Sequence, residues 1–405
     1  MAKTLFRKKS LKIAGDFIYT VMASVVLNIA LQIIIYPLIT KLRGEAAAGN
    51  ILTFIGFVYI IPQALGSALS SGRLVLRKQC DTSNADFSHI ILLFSLVSLV
   101  SVGIFGYLHT PSVVFALFYG LFAILYMLRA YAQVEFRLTL KFKTFFYYYC
   151  LVSIGYLIGF GLYLLTDEWL FIFICGEALA LFYSFFRGTI FKKDAPLAPR
   201  SAVNKAVGAI TLSLLVRDCV LQFDKVVLWA TIDPASVTKY NAVSIIAKTM
   251  QMLTQPINTL ILSYLTVKDT VLSKKDLLKF SGIACAVSGF FYAMCIIGTP
   301  IFLKLFYADL YSEVIPYNLL VNLGIILGFL ATLFMSVVLS QGRSNTFSAF
   351  ECIFGALYVG VSYYCCMHFA LWGLVYATLF INIAKVICSF LLLFTAKNTV
   401  SYTKS

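Results

Sequence analysis

Charge is scarce along this chain, and that scarcity excludes a soluble globular protein. Asp, Glu, Lys and Arg make up 12% of the 405 residues, whereas 61% are hydrophobic, and the mean hydropathy is +0.91. Soluble domains carry about 25% charged residues. We therefore predict an integral membrane protein.

Residues that carry chemistry are also sparse. The three histidines, His89, His109 and His368, lie far apart in the sequence, and all the cysteines except Cys80 fall within or beside apolar segments. Neither pattern has the spacing of a metal site or a disulfide framework, so we expect no metal, no cofactor and no catalytic residue. No connection is long enough to form a soluble catalytic domain, which argues against an enzyme.

Short segments of alternating polar and apolar residues, the pattern of membrane β-barrels, are missing too. The chain divides instead into apolar runs of about 18 to 25 residues, the length that a helix needs to cross a hydrocarbon core of about 30 Å. This pattern predicts an all-α membrane protein with twelve transmembrane helices. The predicted spans are 17–39, 50–71, 88–108, 112–131, 145–165, 169–187, 207–231, 240–265, 280–300, 317–340, 346–366 and 370–396.

Basic residues indicate how these helices are oriented. With the N-terminus in the cytoplasm, 24 of the 32 Lys and Arg residues fall on the cytoplasmic side and four on the outside. Because cytoplasmic loops carry such an excess, we predict that both termini are cytoplasmic. The net charge of +15 then reflects orientation and contact with anionic membrane lipids, and no nucleic-acid partner is expected.

The longest connection is the segment 188–206, which is basic and rich in proline and lies midway along the chain. Proline-rich polar stretches between apolar runs are typical of linkers. We therefore predict a cytoplasmic linker between two six-helix lobes, an N-terminal lobe of residues 1–187 and a C-terminal lobe of residues 207–405.

Polar residues follow one face of two predicted helices. Steps of three or four residues keep side chains on the same side of a helix, with a drift of about 40° for each four-residue step. Gln222 shares a face of the seventh helix with Asp218 and Lys225 in the same way. The stripe of the first helix is Asp16, Thr20, Ser24, Asn28, Gln32 and Tyr36, and that of the eighth is Ser244, Lys248, Gln251, Gln255 and Asn258.

Eight charged residues lie inside the predicted spans, when Arg129 and Arg187 at span ends are counted with the basic cytoplasmic connections 129–143 and 187–205. A charge near a helix centre costs about 2.5 to 3.5 kcal/mol on insertion, so these helices do not face lipid on all sides. Either the acids and bases pair and hold the bundle together, or the charges and polar stripes line a water-filled translocation cavity. We favour the cavity because a hydrated path needs continuous polar faces. The acids are Glu177, Asp218, Asp224 and Glu351, and the bases are Arg217, Lys225, Lys248 and Lys385.

Four segments carry a family resemblance. They are LNIALQIIIYPLITKLRGEAAAGN from residue 27, YAQVEFRLTLKFKTFF from 131, LQFDKVVLWATIDPASVTKYNAVSIIAKTMQMLTQPI from 221 and ALWGLVYATL from 370. They resemble the polysaccharide-transport branch of the multidrug/oligosaccharidyl-lipid/polysaccharide (MOP) exporter superfamily, whose members include the Wzx-type flippases of O-antigen and capsule synthesis. Asp224-Lys225 followed by Tyr240-Asn241 is the most specific part of the resemblance.

The resemblance implies two lobes around a central cavity that opens alternately to each side of a bacterial cytoplasmic membrane. The implied cargo is an undecaprenyl-diphosphate-linked oligosaccharide, and the implied partners include a polysaccharide polymerase and an initiating glycosyltransferase. A diphosphate needs cations in a low-dielectric cavity, which Lys248, Lys225, Arg217 and Lys385 would supply.

Other residues take secondary roles in this hypothesis. Arg73 would receive the headgroup first, at the cytoplasmic end of the second helix. The four acids, Glu177, Asp218, Asp224 and Glu351, would either couple transport to proton or sodium movement or act as fixed counter-ions. The cavity lining would include Asn28, Gln32, Gln222, Gln251, Gln255 and Asn258.

Two other functions stay open. An ion-coupled exporter of small drugs would have the same fold but would need an acidic cavity, whereas the eight charges inside the spans sum to zero. A membrane-embedded polysaccharide polymerase would need a long, polar outer loop with paired Asp, Arg or His, and the predicted outer connections are short and weakly charged.

Overall fold

The computed structural model describes residues 15, 18–77, 80–187, 194–252, 273–341 and 343–395. Over these residues the chain is all-helical. Its long helices are α1 (Ile18–Leu76), α2 (Ser88–His109), α3 (Val113–Ala132), α4 (Phe142–Thr166), α5 (Leu170–Arg187), α6 (Arg200–Thr231), α7 (Pro234–Met252), α8 (Lys274–Phe306), α9 (Asn318–Ser340) and α10 (Ser344–Phe394).

Nine stretches within the described residues are long and apolar enough to cross a membrane. Two of them, α1 and α10, contain a residue with non-helical backbone, Gly44 (φ 82°, ψ 170°) and Ala370 (φ 49°, ψ −135°). Both breaks fall where the sequence predicts a junction between two spans. The prediction of a many-helix membrane protein is confirmed, whereas the total of twelve spans and the cytoplasmic termini stay predictions.

Local sequence explains several helix ends. Ser273 caps α8: its hydroxyl accepts a hydrogen bond from the Asp276 amide (3.2 Å), and the Asp276 carboxylate accepts one from the Ser273 amide (3.1 Å). This reciprocal pair satisfies two amides that a helix N-terminus otherwise leaves without partners. Asp167 ends α4 in the left-handed conformation (φ 61°), which Asp tolerates better than most residues.

The chain forms two compact units, Met1–Val226 and Val227–Ser405. A core of the first unit lies where α1 ends and α2 begins, and it includes Leu69, Phe87, Met127 and Val203. A core of the second unit joins α8, α9 and α10, with Phe329 and Phe334 of α9 among its most buried members. The predicted lobe limits at residues 187 and 207 stay predictions.

Asp86 ties the segment before α6 to the first unit. Its carboxylate is 3% exposed and accepts hydrogen bonds from the backbone amides of Ser83 (2.7 Å), Leu197 (2.7 Å) and Ala198 (3.0 Å). A hydrogen-bonded carboxylate of this kind is roughly twice as strong an acceptor as a neutral oxygen. The start of α6 is therefore held against the junction of α1 and α2.

Replacing Asp86 by alanine is expected to loosen this attachment. Each hydrogen bond to a charged group contributes about 1.5 to 3 kcal/mol, so we expect amide hydrogen exchange in residues 197–203 to accelerate by about tenfold or more. Asp81→Ala is the matched control, because Asp81 is exposed and pairs with exposed Arg77 at the same junction (2.6 Å). Equal exchange rates in the two variants would show that Asp86 does not hold the segment.

Candidate functional site: charged groups inside the helices

Two deeply buried charges form an ion pair in the first unit. Arg129 of α3 (4% exposed) pairs with Glu177 of α5 (0% exposed) through Nε and Oε2. The Tyr156 hydroxyl of α4 donates a hydrogen bond to the other oxygen of Glu177 (2.6 Å). Glu177 is thus held by a base and a hydroxyl from two neighbouring helices.

Aromatic rings surround the guanidinium of this pair. Arg129 Cζ lies 4.7 Å from the ring centroid of Tyr126 and 5.8 Å from that of Tyr149. Rings at these distances attract a cation electrostatically, more strongly where water is excluded. Arg129 and its rings hold Glu177 within the protein, while its role as ion-coupling site or fixed counter-ion stays a prediction.

Sequence reasoning missed Arg129, because it counted this residue with the basic cytoplasmic connection 129–143. Arg129 stands in the last turn of α3, where a basic residue usually marks only orientation. No local pattern links it to Glu177, which lies 48 positions later in the chain. The one available signal was the carboxylate inside an apolar segment, which requires a base from elsewhere.

Lys225 lies in a small polar cluster on α1 and α6, within the first unit. Its Nζ donates a hydrogen bond to Gln222 Oε1 (2.6 Å) and lies 5.9 Å from the ring centroid of Tyr59. The side chain passes over Gly56, where a Cβ would stand 3.0 Å from Lys225 Cδ. The structure thus brings together the predicted residues Lys225 and Gln222.

The other predicted charges of α6 lie close to it along the helix. Arg217 pairs with its neighbour Asp218 (Nη2 to Oδ1, 2.8 Å). The Asp218 side chain is buried while that of Arg217 is 44% exposed. Asp224 is 4% exposed. Arg217 therefore finds its acid on the same helix.

Arg73 lies inside the junction of α1 and α2 and is 7% exposed. Its guanidinium donates hydrogen bonds to Asn84 Oδ1 and to the Tyr131 hydroxyl, the latter at 3.1 Å. Asn84 in turn donates to Asp194 (3.5 Å). These contacts attach Arg73 to protein groups, and its predicted role in receiving a headgroup stays a prediction.

The second unit holds the remaining predicted charges. Lys385 pairs with Glu351 (2.8 Å) and lies 5.8 Å from the ring centroid of Phe350, all within α10. Lys248 of α7 lies 5.2 Å from the ring centroid of Tyr240. Arg217 thus pairs with Asp218 and Lys385 with Glu351, whereas Glu177 pairs with Arg129.

Only some residues of the predicted polar stripes lie in the part of the chain that the structure describes. Asn28 and Gln32 are half-buried in α1, where the Asn28 amide donates to the Ser24 carbonyl (2.8 Å) and the segment Ile29–Ile35 is a π-helix. Widened turns of this type are frequent at functional sites. Gln251 is half-buried in α7, while Asp16, Gln255 and Asn258 lie outside the described residues. That these residues line one cavity stays a prediction.

Among the described residues, no group of three His, Cys, Asp or Glu side chains is placed so that it could hold a metal ion.

Similar structures are found among membrane transporters. An inward-facing multidrug resistance MATE family transporter of the MOP superfamily matches with a TM-score of 0.68 and 11% identity over 94% of this chain and 96% of that chain. The lipid II flippase MurJ, in an inward closed conformation, matches with a TM-score of 0.67 and 15% identity over 96% and 87%.

A third match is a MOP superfamily transporter from Pyrococcus furiosus, with a TM-score of 0.58 and 14% identity over 94% and 95%. No protein-family model and no curated protein matches the chain. At these identities the likeness shows the fold. The chain is a multi-pass membrane protein with the fold of MOP superfamily transporters.

Proposed function

We propose that this protein is an alternating-access flippase. It moves an undecaprenyl-diphosphate-linked oligosaccharide from the cytoplasmic to the outer leaflet of a bacterial cytoplasmic membrane, for surface polysaccharide synthesis. The observation that carries the proposal is the placement of basic side chains inside the helices. Lys225 contacts an amide oxygen and an aromatic ring, and Lys248 contacts an aromatic ring.

The balance of charge inside the helices supports an anionic cargo. Arg129 adds a fifth base to the four predicted from sequence, against four acids. A diphosphate that enters a low-dielectric space is stabilised by cations that donate charge-assisted hydrogen bonds. The proposal assigns this role to Lys225 and Lys248, joined by Arg217 and Lys385.

The fold is compatible with a lipid-linked cargo, but it does not identify the cargo. One similar structure is a flippase of lipid II, which shows that this architecture serves lipid transport in another protein. Another is described as having a binding pocket of reverse polarity that suggests a different function. The fold therefore accommodates pockets of different charge, and the residues inside the helices have to decide the cargo.

Export of small drugs by the same fold is the second candidate function. It is favoured by the several MATE family transporters among the similar structures. Such an exporter of cationic drugs would rely on acids inside the helices. In this chain, however, Glu177, Asp218 and Glu351 each contact a base, so a cationic drug would have to displace those bases to reach these acids.

Leaflet assignment of the lipid-linked oligosaccharide tests the proposal. In cells depleted of the protein, we expect the intermediate to build up on the cytoplasmic face, where an impermeant glycosidase added outside does not cut it. Wild type should clear it and Lys248→Ala should slow clearance by about tenfold or more, because a charge-assisted contact contributes at least about 1.5 kcal/mol.

Two controls sharpen this experiment. Lys248→Arg keeps the charge and should retain most of the activity, and Lys274→Ala removes an exposed lysine at the start of α8 and should behave as wild type. An intermediate that builds up on the outer face of depleted cells would contradict flipping and would favour a polymerase.

A further inference from the structure

We infer that Gly56 and Tyr59 are positioning residues for the Lys225 ammonium, which the proposed function assigns to the diphosphate. The inference rests on the proposed function only for the identity of the ligand. The positioning itself follows from contacts within the first unit, between the part of α1 after Gly44 and the C-terminal third of α6.

Gly56 provides the surface on which the lysine stem lies. A Cβ at this position would meet Lys225 Cδ at 3.0 Å, Lys225 Cβ at 3.6 Å and Gln222 Oε1 at 3.8 Å. All three are side-chain atoms. Only the Cδ contact is tighter than ordinary van der Waals contact. An added methyl group therefore shifts the Lys225 stem, because flexible side chains give way before two helix backbones do.

A contrast within α1 supports this reading. A Cβ at Gly66 would meet the Met127 backbone oxygen at 2.4 Å, so that glycine is required for the approach of two helices. Gly56 has no backbone atom among its nearest contacts. The small size of Gly56 therefore leaves room for the Lys225 side chain.

Tyr59 lies one turn further along α1 and holds the end of the same side chain. Its half-buried ring stands 5.9 Å from Lys225 Nζ. The ring is itself fixed, because it stacks on Tyr126 with centroids 5.1 Å apart and an interplanar angle of 28°. Tyr126 in turn packs against Arg129 at 4.7 Å, which is anchored by Glu177.

The contacts form a continuous series from the buried ion pair to the lysine. Arg129 orders Tyr126, Tyr126 orders Tyr59, and Tyr59 with Gly56 and Gln222 sets the place of the Lys225 ammonium. A rigid support matters because a long lysine side chain otherwise loses considerable rotamer freedom when it binds a ligand. A cation ordered before binding attracts a diphosphate at a lower entropic cost.

The first test measures the position of Lys225 without any cargo. The purified full-length protein in lipid nanodiscs is treated with a small acylating reagent, and the labelling rate of Lys225 is measured by mass spectrometry. A cation–π contact contributes about 0.5 to 2 kcal/mol, so Tyr59→Leu should change this rate at least about twofold. Gly56→Ala should change it as well, because its methyl group shifts the lysine stem. Tyr59→Phe keeps the ring and should leave the rate as in wild type.

The second test measures binding of undecaprenyl diphosphate to the same nanodiscs. Gly56→Ala and Tyr59→Leu should weaken binding by about tenfold, and Tyr59→Phe should not. In a Lys225→Ala background, Gly56→Ala should cause no further loss, because the space that its methyl group needs is then empty. Gly208→Ala is the matched control, since nothing lies within 4 Å of a Cβ at that position.

The two tests separate failure of the inference from failure of the proposed function. Unchanged labelling of Lys225 in both Gly56→Ala and Tyr59→Leu, or additive losses with Lys225→Ala, would overturn the positioning role. If labelling changes as expected but undecaprenyl diphosphate does not bind wild type, the positioning stands and the assigned cargo is wrong.

Discussion

Replacing Glu177 by alanine is expected to destabilise the protein by about 3 to 5 kcal/mol. The substitution leaves Arg129, which is 4% exposed, as a buried charge without its carboxylate. It also removes the acceptor of the Tyr156 hydroxyl. The free energy of unfolding, measured by denaturant titration of the protein in detergent, gives the loss.

Two further variants distinguish the ion pair from ordinary truncation. The double variant Arg129→Met with Glu177→Leu should recover most of the stability, because well-packed apolar residues replace buried ion pairs at little or no cost. Glu313→Ala is the control for an exposed pair, since Glu313 meets Lys239 at 2.5 Å with its side chain 55% exposed, and it should cost at most about 1 kcal/mol.

The double variant also decides the role of Glu177. If it transports cargo as wild type does, Glu177 is a counter-ion of Arg129 and takes no part in ion coupling. A stable double variant that has lost transport would instead support a coupling role. Wild-type stability of Glu177→Ala would contradict the buried-pair interpretation altogether.

Replacing Gly159 by alanine is expected to disrupt the contact between α4 and α5. A Cβ there would lie 2.2 Å from the Phe171 backbone oxygen and 2.6 Å from Ile172 Cα. A Cβ at Gly155, one turn earlier, would likewise lie 2.6 Å from Gly176 Cα of α5. Small residues at four-residue spacing let two membrane helices approach closely, so the added methyl group forces their backbones apart.

We expect Gly159→Ala to cost about 1 to 3 kcal/mol, the usual range for overpacking. The same two helices carry Tyr156 and Glu177, so the hydrogen bond between them should weaken as well. Gly161→Ala is the matched control on α4, because nothing lies within 4 Å of a Cβ at Gly161. The same unfolding titration compares the variants, and equal stability of the two would contradict the close-packing argument.

The fold was largely predictable because the membrane imposes one strong rule. Backbone polar groups in hydrocarbon must be satisfied within the segment, so a long apolar run is helical whatever it packs against. The break in α1 at Gly44 was also predictable, since a charged, glycine-containing stretch separates two apolar runs there. Ala370 was harder to foresee, because a positive φ at alanine is uncommon.

The sequence predicted which positions inside the helices carry charge, but it did not predict which acid pairs with which base. That Glu177 needs a base follows from its place in an apolar segment. That the base is Arg129 depends on how α3 packs beside α5. Likewise Lys225 was identified from sequence, whereas its contact with Tyr59 required the approach of α1 to α6 within the first unit.

By itself, the sequence of this protein determined that it is an all-α membrane protein, where its helices lie and which of them carry charge, because hydrophobicity and helix period are local properties of the chain. Only the tertiary structure decided which charges meet, that Asp86 holds the start of α6, and that Gly56 makes room for a lysine. Those outcomes depend on contacts between helices that are distant in sequence. Because the groups are buried, leaving one of them without its partner costs several kcal/mol of stability.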